Sequence, residues 1–198
     1  MLPGNAALLV VDLQKAVDHP SWGPRNNPDA ESNVARLLRE WRSRQLAIVH
    51  IRHDSIEPGS SYRPGQIGHE FKDVAAPLAG ETVVAKRTNS AFIGTDLEAR
   101  LRSGGCLTLV VAGVSTSNSV EATVRMAGNL GFRTFLVADA CFTFDRKDWS
   151  GRPRTAAEVH DMSLANLDGE YCTVVTTEWV VSALGAQPAP GAGVGRAP

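Results

Sequence analysis

The chain has 198 residues, 43% hydrophobic and 21% charged, with 20 basic side chains against 21 acidic ones and a formal charge of -1. That is the profile of one compact domain with a sizeable core, and a near-neutral chain without a Lys/Arg block gives no electrostatic case for nucleic acid or an anionic membrane surface as a partner. No apolar run approaches the roughly 20 residues that span a bilayer, and MLPGNAALLVVDLQ lacks a basic leader with a small-residue cleavage pattern, so a cytoplasmic location is expected.

The first apolar run, Leu8 to Val11, is continuous rather than alternating, as a strand buried on both faces should be. From Asn33 to Gln45 the period changes: Val34, Leu37, Leu38 and Trp41 fall at i, i+3, i+4 and i+7, with Arg36, Arg39 and Arg42 elsewhere on the wheel, which predicts an amphipathic helix. A second apolar run, Leu46 to Ile51, follows. Arg52 to Gly80 then interleaves Gly, Pro and Ser without a period. A segment this long either covers a site or lacks order, and its place after the carboxyl end of a strand favours a substrate lid.

The third run is Thr82 to Ala85. Thr95-Asp96-Leu97-Glu98 reads as a capping box opening a helix that Gly104-Gly105 ends. After the fourth run, Leu107 to Ala112, a helix is expected from Ser117 to Leu130, with Val120, Val124 and Ala127 on one face and Gly131 as its stop. The fifth run, Thr134 to Ala138, leads to a helix carrying Ala157, His160, Leu164 and Leu167, and the sixth is Thr173 to Thr176. Alternating strands and helices argue for an α/β domain over residues 1–184, a doubly wound parallel sheet between helical layers. Residues 185–198, Gly/Pro/Ala-rich, are too poor in bulky apolar surface to offset their ordering entropy and read as a disordered tail. Cys106, Cys141 and Cys172 are odd in number and lack CxxC spacing, so they are expected as reduced, buried thiols rather than a disulfide framework or a zinc site.

In a parallel sheet, a polar residue that ends an apolar strand is delivered to the crevice at the carboxyl edge. Asp12 closes LLVVD, Lys86 closes TVVAK, and Gly113-Val114-Ser115-Thr116-Ser117-Asn118-Ser119 joins the fourth strand to its helix. A carboxylate, an ammonium and a hydroxyl at a helix N-terminus would make a compact acid/base site; a charged strand end is, equally, a common solvated cap or ion pair. Trp22 and Phe144 could wall a small pocket or simply pack.

These residues carry a resemblance. VVDLQ (Val10 to Gln14), KRTNSAFIGTDLEARL (Lys86 to Leu101), VVAGVSTSNSVEATVRMAGNLGF (Val110 to Phe132) and VADACFTFD (Val137 to Asp145), in this order, resemble the isochorismatase-like, or cysteine hydrolase, superfamily over almost the whole chain before the tail. The resemblance implies a Rossmann-like three-layer αβα sandwich with a six-stranded parallel sheet, a homodimer or higher homo-oligomer, a small-molecule substrate, and catalysis by an Asp, a Lys and a Cys. Asp12 and Lys86 match the first two. The Cys expected six residues after the Gly of GVxT is Ser119, and Cys141 follows a different strand, so the nucleophilic thiol is missing.

A serine hydroxyl needs a base to attack, and a carboxylate beside an ammonium is a weak one, so acid/base chemistry without a covalent intermediate is the favoured expectation. By resemblance, a cis peptide links Val114 to Ser115 and the amides of Ser115 and Ser119 form an oxyanion hole; Gln14, Trp22 and Phe144 are the expected substrate-pocket residues. The nicotinamidase branch binds a metal through an Asp and histidines after the second strand; His50-Ile51-Arg52-His53-Asp54 and His69 lack that order, and neither metal nor cofactor is expected. The reaction expected is cleavage of a C–N amide-type bond or an isochorismate-like vinyl ether. The rival expectation is a catalytically silent member that binds a small ligand or serves as a structural subunit.

Overall fold

The structure, a computed structural model, describes residues 2–185. Six strands form one parallel sheet: β1 (Ala7–Val11), β2 (Ile48–His53), β3 (Thr82–Lys86), β4 (Thr108–Val114), β5 (Arg133–Phe142) and, last in the chain, Thr173–Val175. Arg146–Lys147 (β6) and Pro153–Arg154 (β7) make a small antiparallel ribbon that the sequence reading did not anticipate, and Thr173–Val175 is therefore β8. The spatial order β3-β2-β1-β4-β5-β8 reverses direction between β1 and β4, the place where open α/β sheets open a crevice at their carboxyl edge.

Helices cover both faces. Along β1, Leu8 and Val10 enter one core with Val34, Leu37, Leu38 and Trp41 of α1 (Ala30–Ser43). Ala7, Leu9 and Val11 enter the other core with Leu97 and Leu101 of α2 (Leu97–Ser103) and Val124 and Ala127 of α3 (Glu121–Asn129). Both faces being apolar is why these runs are continuous. Strand β3 differs: it lies at the sheet edge, and Val83 is 40% exposed.

Several local expectations shift. The capping box at Thr95 does not form: Asp96 is the N-cap, which leaves Glu98 one position early, where it pairs with Arg102, while the Thr95 hydroxyl donates to the Ala91 carbonyl at 2.6 Å. The same pattern does form at Thr155, which caps α4 (Ala156–Ala165) reciprocally with Glu158. Leu167 lies beyond α4 yet is fully buried. The helix expected from Ser117 begins as a π turn over Thr116–Val120 and becomes α-helical at Glu121. A further helix, α5 (Thr177–Gly185), packs with α1; Gly185, assigned above to the tail, ends it, and the remainder of that tail lies outside the described residues. No helix among the described residues is long and apolar enough to cross a membrane.

The Arg52 to Gly80 segment is ordered. It starts as the end of β2 and carries single 3-10 turns at Ile67–His69 and Asp73–Ala75, and Phe71 pairs with Gln14 beside the end of β1.

Candidate active site

Three chain turns at the carboxyl edge build the site. Asp12 follows β1 with φ +49, a left-handed backbone uncommon for a non-glycine residue. Lys86 is the last residue of β3. Ser119 sits in the π turn after β4, and that turn approaches Asp12 because Gly113, at φ +124, lets β4 pass close to β1; a Cβ there would lie 2.1 Å from the Val11 carbonyl oxygen.

The three side chains meet. Lys86 Nζ donates to Asp12 Oδ2 at 2.6 Å, to Ser119 Oγ at 3.1 Å and to the Thr88 carbonyl at 3.1 Å. All three residues are buried, at 3% exposure for Asp12, 1% for Lys86 and 7% for Ser119. Asp12 Oδ1 is sealed from solvent and has no hydrogen-bond partner among the described residues. Burial raises the Asp12 pKa above the usual carboxylate value, the charge and hydrogen bond of Lys86, the Ser119 hydroxyl and the charge of His53 opposing it only in part. Burial likewise lowers Lys86 from the ordinary lysine value against the pull of Asp12. Desolvation thus opposes the charge on both partners and brings their proton affinities closer together, which suits proton transfer.

The Val114–Ser115 peptide is cis. Val114 belongs to the core, whereas Ser115 is partly exposed and its Oγ lies 3.3 Å from Thr143 Oγ1. The Ser115 carbonyl accepts from Asn118 and Val120. Among the described residues the Ser115 N–H finds no acceptor, and that of Ser119 finds none outside the turn.

Gln14 differs from its expected place in the pocket wall. It is fully buried, and its carboxamide is spent on backbone: Oε1 accepts from His53 N at 2.7 Å while Nε2 donates to the His53 and His69 carbonyls. Its work is to tie the 53–69 segment to the end of β1. Trp22 and Phe144 stack with ring centres 5.1 Å apart, and Trp22 meets Tyr62 edge-on; Tyr62 in turn donates its hydroxyl to the Asp12 carbonyl at 3.3 Å. The two aromatics therefore adjoin the centre through Tyr62.

Two further residues meet the site: Tyr62, and His53, which the sequence offers only as a metal ligand in the wrong order. His53 faces Lys86 in register across β2 and β3, with Nδ1 3.4 Å from Lys86 Nζ. The strand-end rule would have found it had β2 been carried past its apolar run to the polar Arg52 and His53.

His69 bonds Asp54, which also takes Arg52, and no group of His, Cys, Asp and Glu suited to a metal occurs among the described residues. His160 is buried with its Nδ1 2.9 Å from Thr116 Oγ1, joining α4 to the π turn. Cys106, Cys141 and Cys172 are free and buried; burial pushes both Cys141 and Cys172 up to about 12.

The isochorismatase domain family model matches residues 6–178. Bacillus subtilis (strain 168) has a relative, the isochorismatase family protein YrdC, 39% identical over 176 residues, which are 89% of this chain and 94% of that protein. The fold is similar to the crystal structure of a hydrolase assigned to the isochorismatase family from Chromobacterium violaceum, at 64% identity and a TM-score of 0.91, covering 93% of this chain and 96% of that one. Maleamate amidohydrolase of Pseudomonas putida is 35% identical over 108 residues, 54% of this chain and 46% of that enzyme.

Proposed function

The chain belongs to the isochorismatase family of hydrolases, and on that footing we propose that it cleaves a C–N amide-type bond in a small organic molecule, with Asp12 and Lys86 as its acid/base pair. The observation that carries this reading is the Lys86 ammonium held between two buried groups, one of which, Asp12, keeps a free oxygen at Oδ1. The amide chemistry draws support from the similarity to maleamate amidohydrolase.

In this reading Ser119 takes the place of the family's thiol without taking its role. Its oxygen already accepts from Lys86, which lowers its electron density, and Asp12 is a weaker base than the imidazole that usually activates a serine. Water is the nucleophile instead. As its oxygen bonds to the substrate carbonyl carbon, its proton passes to Asp12 Oδ1. The developing oxyanion is received by the Ser115 and Ser119 N–H groups at the turn. Asp12 then returns the proton to the leaving nitrogen as the C–N bond breaks, giving a carboxylic acid and an amine. Lys86 keeps Asp12 oriented and stabilises its anion.

A panel of amides, carbamates and isochorismate tests the reading. Amide turnover that disappears in Asp12→Asn, with circular dichroism unchanged, is the expected result. Turnover of isochorismate alone would assign Asp12 to vinyl-ether protonation instead, and panel members that bind without any turnover would favour a ligand-binding role.

A further inference from the structure

Asp12, Lys86 and Ser119 are buried, and once a substrate covers Asp12 the proton released as the product acid ionises has no direct route from the pair to bulk water. His53 stands at the boundary. Its Nδ1 is 3.4 Å from Lys86 Nζ, whereas its Nε2 bonds to no described residue and is not among the polar atoms sealed from solvent. The ring is held in this pose: Gln14 grips the His53 backbone at both N–H and carbonyl, and Tyr62 packs edge-on at 5.6 Å. At rest the three protons of the Lys86 ammonium are matched by Asp12, Ser119 and Thr88, and His53 Nδ1 is a fourth neighbour with its lone pair toward Lys86, so a proton reaches it when the ammonium rotates and one N–H leaves its present acceptor.

We propose that His53 is a proton relay, joining the sealed Asp12–Lys86 pair to bulk water through its two ring nitrogens. The inference rests on the acid/base reading of that pair. Lys86 Nζ gives a proton to His53 Nδ1 and becomes the neutral amine as Nε2 loses its proton to a water molecule; the reverse sequence recharges the pair from solvent. His53 acts through Lys86, not on substrate.

The surroundings suit this. Burial, then the charge of Lys86, holds the His53 pKa below the ordinary histidine value, while Asp12 across the sheet and Asp54 beside it pull it upward. Asp54 is itself engaged by Arg52 and His69, and the Tyr62 ring packs edge-on against His53. The imidazole is thus neutral near pH 7 and able to accept.

The test uses the full-length chain and a substrate from the panel. His53→Ala should lower kcat about ten-fold or more with little change in KM, and added imidazole should restore it in proportion to the free base, as for a general acid/base group. His53→Gln should be equally slow and keep the fold. Wild-type kcat and pH profile in both variants would overturn the proposal, as would a loss in His53→Ala that imidazole does not relieve. A substrate-free measurement separates this from the reading beneath it: NMR titration should show the His53 pKa rising in Lys86→Met, and an unchanged pKa would sink the relay. Retained turnover in Asp12→Asn alongside a shifted His53 titration would instead condemn the acid/base reading.

Discussion

Asp12 combines a left-handed backbone, a buried carboxyl and one oxygen without a partner, a costly arrangement that folding alone gives no reason to keep. Paired substitutions decide its role against that of Ser119. Asp12→Asn should abolish turnover, since an amide neither takes nor gives the proton, while Ser119→Ala should retain much of it; loss in both would indicate a covalent serine. The Ser119→Cys variant reads the local field directly. A thiol within hydrogen-bond reach of Lys86 should ionise readily and be alkylated faster than Cys106, Cys141 and Cys172, all of which burial holds above the ordinary thiol pKa. An unreactive introduced thiol, measured by mass spectrometry against those three, would place residue 119 outside an electropositive, accessible centre.

At the level of elements, two stretches with one sequence pattern behave differently. Thr155 and Glu158 cap α4 reciprocally, whereas at Thr95 the N-cap moves to Asp96 and Glu98 is left to a surface ion pair with Arg102. Thr155→Ala should therefore cost about 1 kcal/mol in urea unfolding. Glu98→Ala should cost at most about 0.5 kcal/mol, the usual worth of an exposed i,i+4 pair. Equal losses would mean that the cap on α4 contributes little.

Across the molecule, Glu81 fastens three parts of the chain: it takes Arg42 from α1 at 2.7 Å, His50 from β2 at 2.8 Å and the Leu78 backbone N–H. The Arg42 hydrogen bond leads the causes that hold its carboxyl down to about 2, against 4.5 when free. A folded-state pKa below the unfolded value stabilises above pH 4.5 and is lost as pH falls toward 2. Acid unfolding of wild type should thus be steeper over that interval than that of Glu81→Gln, and superimposable curves would contradict it. Trp149 at 99% exposure, Ile67 at 74% and Met162 at 62% leave apolar surface in water on the single chain. At least a dimer is expected by light scattering; one monomeric mass over a wide concentration range would refute it.

The six continuous apolar runs, the amphipathic period of α1 and the polar residues closing β1 and β3 were all readable from the chain, because each depends on neighbours in sequence and on burial of a whole face. The meeting of Asp12, Lys86 and Ser119 followed from strand ends sharing one edge, a rule of topology rather than of contact. The partners that complete the site were harder to read. His53, at the end of β2 beyond its apolar run, meets Lys86 through the β2–β3 register, Tyr62 reaches Asp12 from 50 residues away, and Gln14 turns to the backbone of His53 and His69. The failed capping box at Thr95 turns on one residue of backbone geometry, and α5, nine residues long, is too short to show a clear period. Such features depend on which polar groups remain unpaired once the chain has collapsed, and that depends on distances between segments far apart in sequence, which no local pattern encodes.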